Sequence, residues 1–149
     1  MEHISRAKEI LKENIYLTMA TSDKDGNPWI TPVRYANDDH YNFYWISEAE
    51  TRHSKNIKEN KNKVSFVVYN SSTNEGTGEG VYFKGSAHEL TEQKDAEEAL
   101  NLYFARKNQK PKSFRDFIDA APQRIYKAIP EKIWMKPMGI VEKVQINLL

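Results

Sequence analysis

"IYLTMATSDKDGNPWITPVRYANDDHYNFYWIS", Ile15 to Ser47, is the stretch that decides the fold. It holds three runs of strand composition, 15–22, 29–36 and 41–47, separated only by "DKDGNP" and "NDDH". Gly26 can take the positive φ that a tight turn demands, and Pro28 suits the first residue of the next strand. Connections this short cannot hold the crossover that parallel neighbours need, so the pairing must be antiparallel. The reading is a meander of three aromatic-rich strands.

Working outward, residues 3–13 form an amphipathic helix with Ile4, Ala7, Ile10 and Leu11 on one side. Beyond Ser47 comes a helix over 51–61, then the strand "KVSFVVYN" (63–70) and a loop of small residues, "SSTNEGTGEG" (71–80). The strand "VYFKGSAHEL" (81–90) follows, with Gly85 placed for a bulge or bend. Ala96, Ala99, Leu100, Tyr103 and Phe104 recur at helical spacing and predict a longer helix over 92–107. Ser113 with Asp116 caps a short helix that Pro122 ends. "QRIYKAI", "KIWMKP" and "GIVEKVQINL" close the chain as short strands. Roughly six to eight strands in tight succession argue against a parallel sheet and for a mainly β architecture. The economical solution is a small antiparallel barrel with peripheral α-helices, one domain over 1–149.

Composition narrows the function. A chain of 149 residues buries roughly 68–70% of its unfolded surface, so it needs no staples. It has no cysteine, which excludes disulfides and thiolate metal sites. The opening "MEHISRAKEILKEN" is charged throughout, and no apolar run approaches the ~20 residues of a membrane span. A cytoplasmic, soluble protein with no membrane partner is expected. Its 22 basic and 21 acidic residues give a net charge of +1. Whole-molecule attraction to nucleic acid is therefore not indicated.

Most chemical motifs are missing. "GTGEG" (76–80) precedes a strand rather than a helix, so it is not a dinucleotide-binding turn. His3, His40, His53 and His88 make no pair at metal spacing with a carboxylate. Asp38–Asp39 and Glu97–Glu98 sit in a turn and on a helix face, as solvated charges do. No Gly-x-Ser-x-Gly elbow exists, and no catalytic side chain is named. Trp29, Trp45 and Trp134 all fall on strands, where aromatics fill a barrel; Trp45 and Trp134 could instead wall a site for a planar ring.

One segment breaks a physical rule. "TRHSKN" (51–56) opens a helix at Thr51, yet places Arg52, His53 and Lys55 in its first turn with no acid among them. Cations at that end of the dipole cost roughly 0.3–1 kcal/mol each. A bound phosphate would reverse the sign: free amides, the Arg52 fork and donors from His53, Ser54, Lys55 and Asn56 would all face it. The alternative is a solvated basic turn paired with Glu48 and Glu50.

With these pieces in place, the chain resembles the pyridoxamine 5'-phosphate oxidase-like, FMN-binding split-barrel family. The likeness is carried by "ATSDKDGNPWITPVRY", "YNFYWIS", "TRHSKNIKENKNKVSFVVY", "VYFKGSAHEL" and "YKAIPEKIWMK". It implies an FMN-dependent flavoprotein, an oxidoreductase by flavin chemistry, assembled as a homodimer with flavin at the subunit interface. It implies that Thr31, Pro32 and Val33 lie along the flavin, and that Ile46 and Ser47 meet the ring and ribityl-phosphate. Arg52 matches the family's phosphate-binding arginine, and His53 stands where lysine is more common. Lys55 and Asn56 continue that turn, and Trp134 matches a tryptophan near the isoalloxazine. "LYFARK" is similar to the oxidases' substrate-phosphate helix, with the spacing to Arg106 off, and no Arg-x-His follows Trp134. The resemblance thus implies a cofactor without implying vitamin B6 oxidation. Relatives that bind the deazaflavin F420 or haem supply other cofactors. A non-enzymatic barrel that binds flavin, or stacks single-stranded nucleic acid on Trp29, Tyr35, Tyr41, Phe43 and Trp45, is the reading from another class.

Overall fold

A computed structural model describes residues 1–149. The Ile15–Ser47 stretch begins as expected. β1 (Tyr16–Ser22) and β2 (Pro28–Arg34) form an antiparallel hairpin in register from Tyr16↔Arg34 to Ser22↔Pro28. Its turn is tightly specified: Gly26 has φ +84°, and the Asp23 carboxylate accepts hydrogen bonds from the backbone N–H groups of Asp25 and Asn27. The third run departs from the meander. After the two-residue β3 (Ala36–Asn37), β4 (Phe43–Glu48) pairs with β3 and with β7 (Gln123–Lys136), not with β2. With β5 (Lys63–Val68) and β6 (Gly80–Glu89) the order is β2-β1-β5-β6-β7-β4-β3, and β8 (Val144–Ile146) pairs with β7 off this path, making one antiparallel sheet of eight strands that curls into a split barrel. β2 is thereby left as an edge strand.

β4 leaves the meander because both its faces are apolar. Phe43 and Trp45 point into the larger core, where Phe43 meets Phe66 and Phe83 at ring separations of 4.9 and 4.8 Å. Tyr44 points the other way, into a second cluster. A strand beside β2 at the open edge could not bury both sets.

α1 (Glu2–Glu13) lays Ala7, Ile10 and Leu11 on the larger core. α2 (Arg52–Glu59) leads into β5 (Lys63–Val68) through Lys61 and Asn62, both at positive φ. β6 (Gly80–Glu89) is followed by α3 (Gln93–Arg106), which builds the second core with Ala96, Ala99, Leu100 and Phe104. The 51–61 and 92–107 helices are where the spacing put them, as Arg52–Glu59 and Gln93–Arg106. The Ser113 segment forms one 3₁₀ turn, Phe114–Phe117, whose cap is a hydrogen bond from the Arg115 N–H to Ser113 Oγ.

β7 (Gln123–Lys136) is one continuous strand where the sequence suggested two. It passes through Pro130 because the ladder is already interrupted there: the register shifts between Lys84 and Gly85, and Gly85 faces Pro130. A proline is tolerated at such a bulge. A Cβ at Gly85 would overlap the Ile129 carbonyl, so close approach fixes glycine here. β8 is brief, Val144–Ile146, and pairs with β7. No helix is long and apolar enough to cross a membrane.

Candidate functional site

The unusual helix start of α2 is built on a buried polar base. Thr51 is the N-cap by backbone geometry, yet its hydroxyl does not cap the helix. It donates instead to the Glu48 carbonyl, 2.9 Å away. The first-turn amides therefore keep their unsatisfied positive ends. Behind them His53 Nε2 lies 2.8 Å from Ser47 Oγ and 3.3 Å from Thr51 Oγ1, and Ser54 Oγ is 2.9 Å from Thr51 Oγ1. His53 is only 8% exposed. Burial pushes its pKa below the ordinary histidine value, so the ring is neutral near pH 7. His53 thus organises the hydroxyls and does not serve as a cation.

The first-turn charges separate by partner. Lys55 Nζ is 3.0 Å from Glu50, an exposed pair. Glu48, the other expected acid, makes no ion pair here. Asn56 turns inward and donates to Thr21 Oγ1 of β1 at 3.1 Å. Arg52 is exposed and in no ion pair; its guanidinium carbon sits 4.4 Å from the centre of the Trp29 ring on β2. The carboxyl of Asp23 is held below its usual range chiefly by hydrogen bonds from Asn27, with the Arg52 charge contributing less.

The other expected residues fall into place around this end. Ser47 belongs to the same base. Ile46 is half-buried against the second core. Thr31 and Pro32 lie on the open edge strand, whose outer side carries no ladder partner, while Val33 points into the core. Unpaired backbone groups along such an edge are available to a ligand. Trp134 is elsewhere, on β7, where it lines a hollow of about 500 Å³ on the outer face of the sheet with Thr18, Ile30, Ser65, Tyr82 and Lys143. No residue of α2 lines that hollow. One chain brings Arg52, His53, Ser47 and Asn56 together but leaves Trp134 apart from them. Trp45 walls no site: it is fully buried, stacked on Tyr126 at 5.6 Å and 9°.

Two residues that carry part of this geometry gave little signal in sequence. Trp29 reads as one more strand aromatic, yet it backs Arg52. Arg106 reads as a faint substrate-helix match, yet its guanidinium donates to the carbonyls of Leu11, Asn14 and Tyr35 and stacks 4.3 Å from the Tyr35 ring. It closes the C-terminal end of α1 and is not free for a substrate.

The family model for pyridoxamine 5'-phosphate oxidase matches residues 5–135. The chain belongs to that family. Among solved structures, this member of the pyridoxamine 5'-phosphate oxidase family is similar to Campylobacter jejuni ChuZ (12% identity, TM-score 0.78, 96% of this chain and 58% of that one). It is also similar to a heme-binding protein from Mycobacterium smegmatis (16%, TM-score 0.72, 97% and 57%). A third is HutZ, the heme storage protein of Vibrio cholerae (15%, TM-score 0.64, 91% and 95%). The chain spans a little over half the length of the first two. At these identities the likeness shows the split-barrel fold alone. No curated protein matches the chain.

Proposed function

We propose that this chain is an FMN-binding flavoprotein and oxidoreductase that works as a homodimer. The carrying observation is the start of α2. An N-cap hydroxyl turned away from the helix leaves amides free, and the unpaired Arg52 fork stands beside them. That donor set suits a phosphate monoester. Neutral His53 would hold Ser47 and Thr51 in place around the phosphate, and the open edge at Thr31–Val33 would line the flavin. When bound, the flavin supplies hydride or electron transfer, and the chain supplies position and electrostatics.

The dimer is what this reading requires. Trp134 and Arg52 belong to one site only if a second copy brings its outer sheet face to the first copy's β2 edge. An apolar side chain that contact would cover is in view: Ile30, on the rim of the hollow beside Trp134, is 65% exposed. Haem is the second reading, favoured by the heme-binding and heme-storage relatives. Against it, none of the four histidines lines the hollow beside Trp134.

The test is a titration of purified protein with FMN and with riboflavin, alongside its mass by light scattering. The reading expects FMN to bind about one per chain and much more tightly than riboflavin, with the mass of a dimer. Arg52→Ala should cost about 1.5–3 kcal/mol of FMN affinity, the worth of a charged hydrogen bond. Equal affinity for both flavins would remove the phosphate site.

A further inference from the structure

The helix α2 has a second side. Ile57 seats it on the larger core, the cluster that also holds Trp45 and Tyr126. His53 and Asn56 turn toward Ser47 and Thr21. Positions i and i+4 share a helix face, so Ser54 goes with Lys58 and Lys55 with Glu59. These four face the last residues of β6 and the first of β7 across a groove of about 700 Å³. Its floor is Ser54, Ile57 and Tyr126, all buried. His88 and Glu89 of β6 line it from the strand side, and Glu50 and Asn62 flank it before and after the helix. Neither Arg52 nor any residue of the Trp134 hollow lines this groove.

Its polar groups divide by whether the chain already satisfies them. Lys55 is paired with Glu50 at 3.0 Å, and Glu89 with Arg124 at 3.4 Å. Burial, with Lys127 adding to it, pushes the His88 pKa down, so the imidazole is neutral near pH 7. Burial pushes the Tyr126 phenol up, and it keeps its proton. Two lining charges enter none of the molecule's ion pairs: Lys58 and Glu59. They are one of each sign. An anion here would meet Glu50, Glu59 and Glu89 against only two lysines, and an organic cation would leave Lys58 unanswered. Ser54, Tyr126, His88 and Asn62 add uncharged groups that both donate and accept.

We propose that this groove binds a small zwitterion of the free amino-acid class, with an uncharged polar side chain. The carboxylate goes to Lys58 and the ammonium to Glu59. These are successive residues of one helix, which suits the short span between the two charges of an α-amino acid. The side chain extends over Ile57 toward the hydroxyls of Ser54 and Tyr126 and the ring of His88. The volume falls within the ~300–1,000 Å³ of small-molecule clefts and leaves room for that side chain. The site goes beyond the flavin reading and stands without it, because Lys58 and Glu59 belong to none of the groups assigned to FMN.

The test is calorimetric titration of the purified protein with L-glutamine, N-acetyl-L-glutamine, L-glutaminamide and alanylglutamine. Glutamine should bind saturably. The acetylated form lacks the ammonium and the amide form lacks the carboxylate. Each should bind at least about tenfold more weakly, the low end of a charged hydrogen bond. Lys58→Gln should erase the gap between glutamine and its amide, and Glu59→Gln the gap between glutamine and its acetyl form. Both side chains are exposed, so the variants fold, and FMN affinity should be the same in each. Tyr126→Phe keeps the ring and removes the floor hydroxyl, and should weaken glutamine severalfold with the melting temperature as a check on folding. No saturable glutamine binding at millimolar concentration overturns the proposal. So do capped forms that bind as tightly as glutamine, gaps that survive both charge changes, or alanylglutamine that binds more tightly than the free amino acid. Glutamine bound through Lys58 and Glu59 in a protein that ignores FMN would sink the flavin reading and leave this site standing.

Discussion

The guanidinium of Arg52 rests 4.4 Å from the centre of the Trp29 ring, joining the first turn of α2 to the edge strand β2. Trp29 is held by a hairpin whose turn is locked by Asp23 and Gly26. A floppy arginine loses conformational entropy when it binds an anion; one already stacked on a ring loses less. Trp29→Ala should weaken FMN binding about two- to fivefold, the worth of an exposed cation–π contact. Trp29→Phe should restore most of it. Fluorescence titration of the three proteins checks this.

His53 gives a pH dependence with a definite sign. Burial lowers its folded pKa, and burial also lowers that of His88, helped by Lys127. The unfolded chain then binds more protons than the folded one just below the ordinary histidine pKa of ~6.5. Stability is therefore complete above that pH and falls as pH drops through it, before the carboxylates titrate. The melting temperature of ligand-free protein should decrease from pH 7.5 to 5.5. His53→Asn should flatten part of that slope; an unchanged slope would show that His53 is not the group responsible.

Gly85 marks the point where β6 shifts register against β7. Gly85→Ala forces a methyl group onto the Ile129 carbonyl, where backbone on both sides cannot yield. A loss of about 1–3 kcal/mol is expected, as for other overpacked positions. Urea unfolding measures it. Gly76→Ala, in open space but at positive φ, should cost less, about 1 kcal/mol.

Arg106 ties the end of α1 to α3 and Tyr35. Arg106→Ala leaves the Leu11, Asn14 and Tyr35 carbonyls without their charged donor. It should cost about 1.5–3 kcal/mol of stability and leave FMN affinity unchanged. A variant with normal stability and impaired binding would return Arg106 to the site.

What could be read from sequence was what local chemistry enforces. The β1–β2 hairpin was legible because Asp-Gly turns and alternating strands are short-range signals. The start of α2 was legible because charges against a dipole need a reason. β4 was misplaced because nothing local to "FYWIS" names β7 as its neighbour; that choice is made by two cores competing for its two faces. Trp45 and Trp134 looked alike in sequence, and only the sheet's curl sends one inward and the other out. His53 looked like a cation because its burial comes from packing against Ser47. Arg106 looked like substrate machinery because its true partners are carbonyls, which every residue has.

The visible absorption spectrum of freshly purified protein tests the central claim most directly. The account predicts yellow protein with flavin bands that releases about one FMN per chain on denaturation. Colourless protein that stays unchanged when FMN is added, or a Soret band in place of flavin bands, would contradict it.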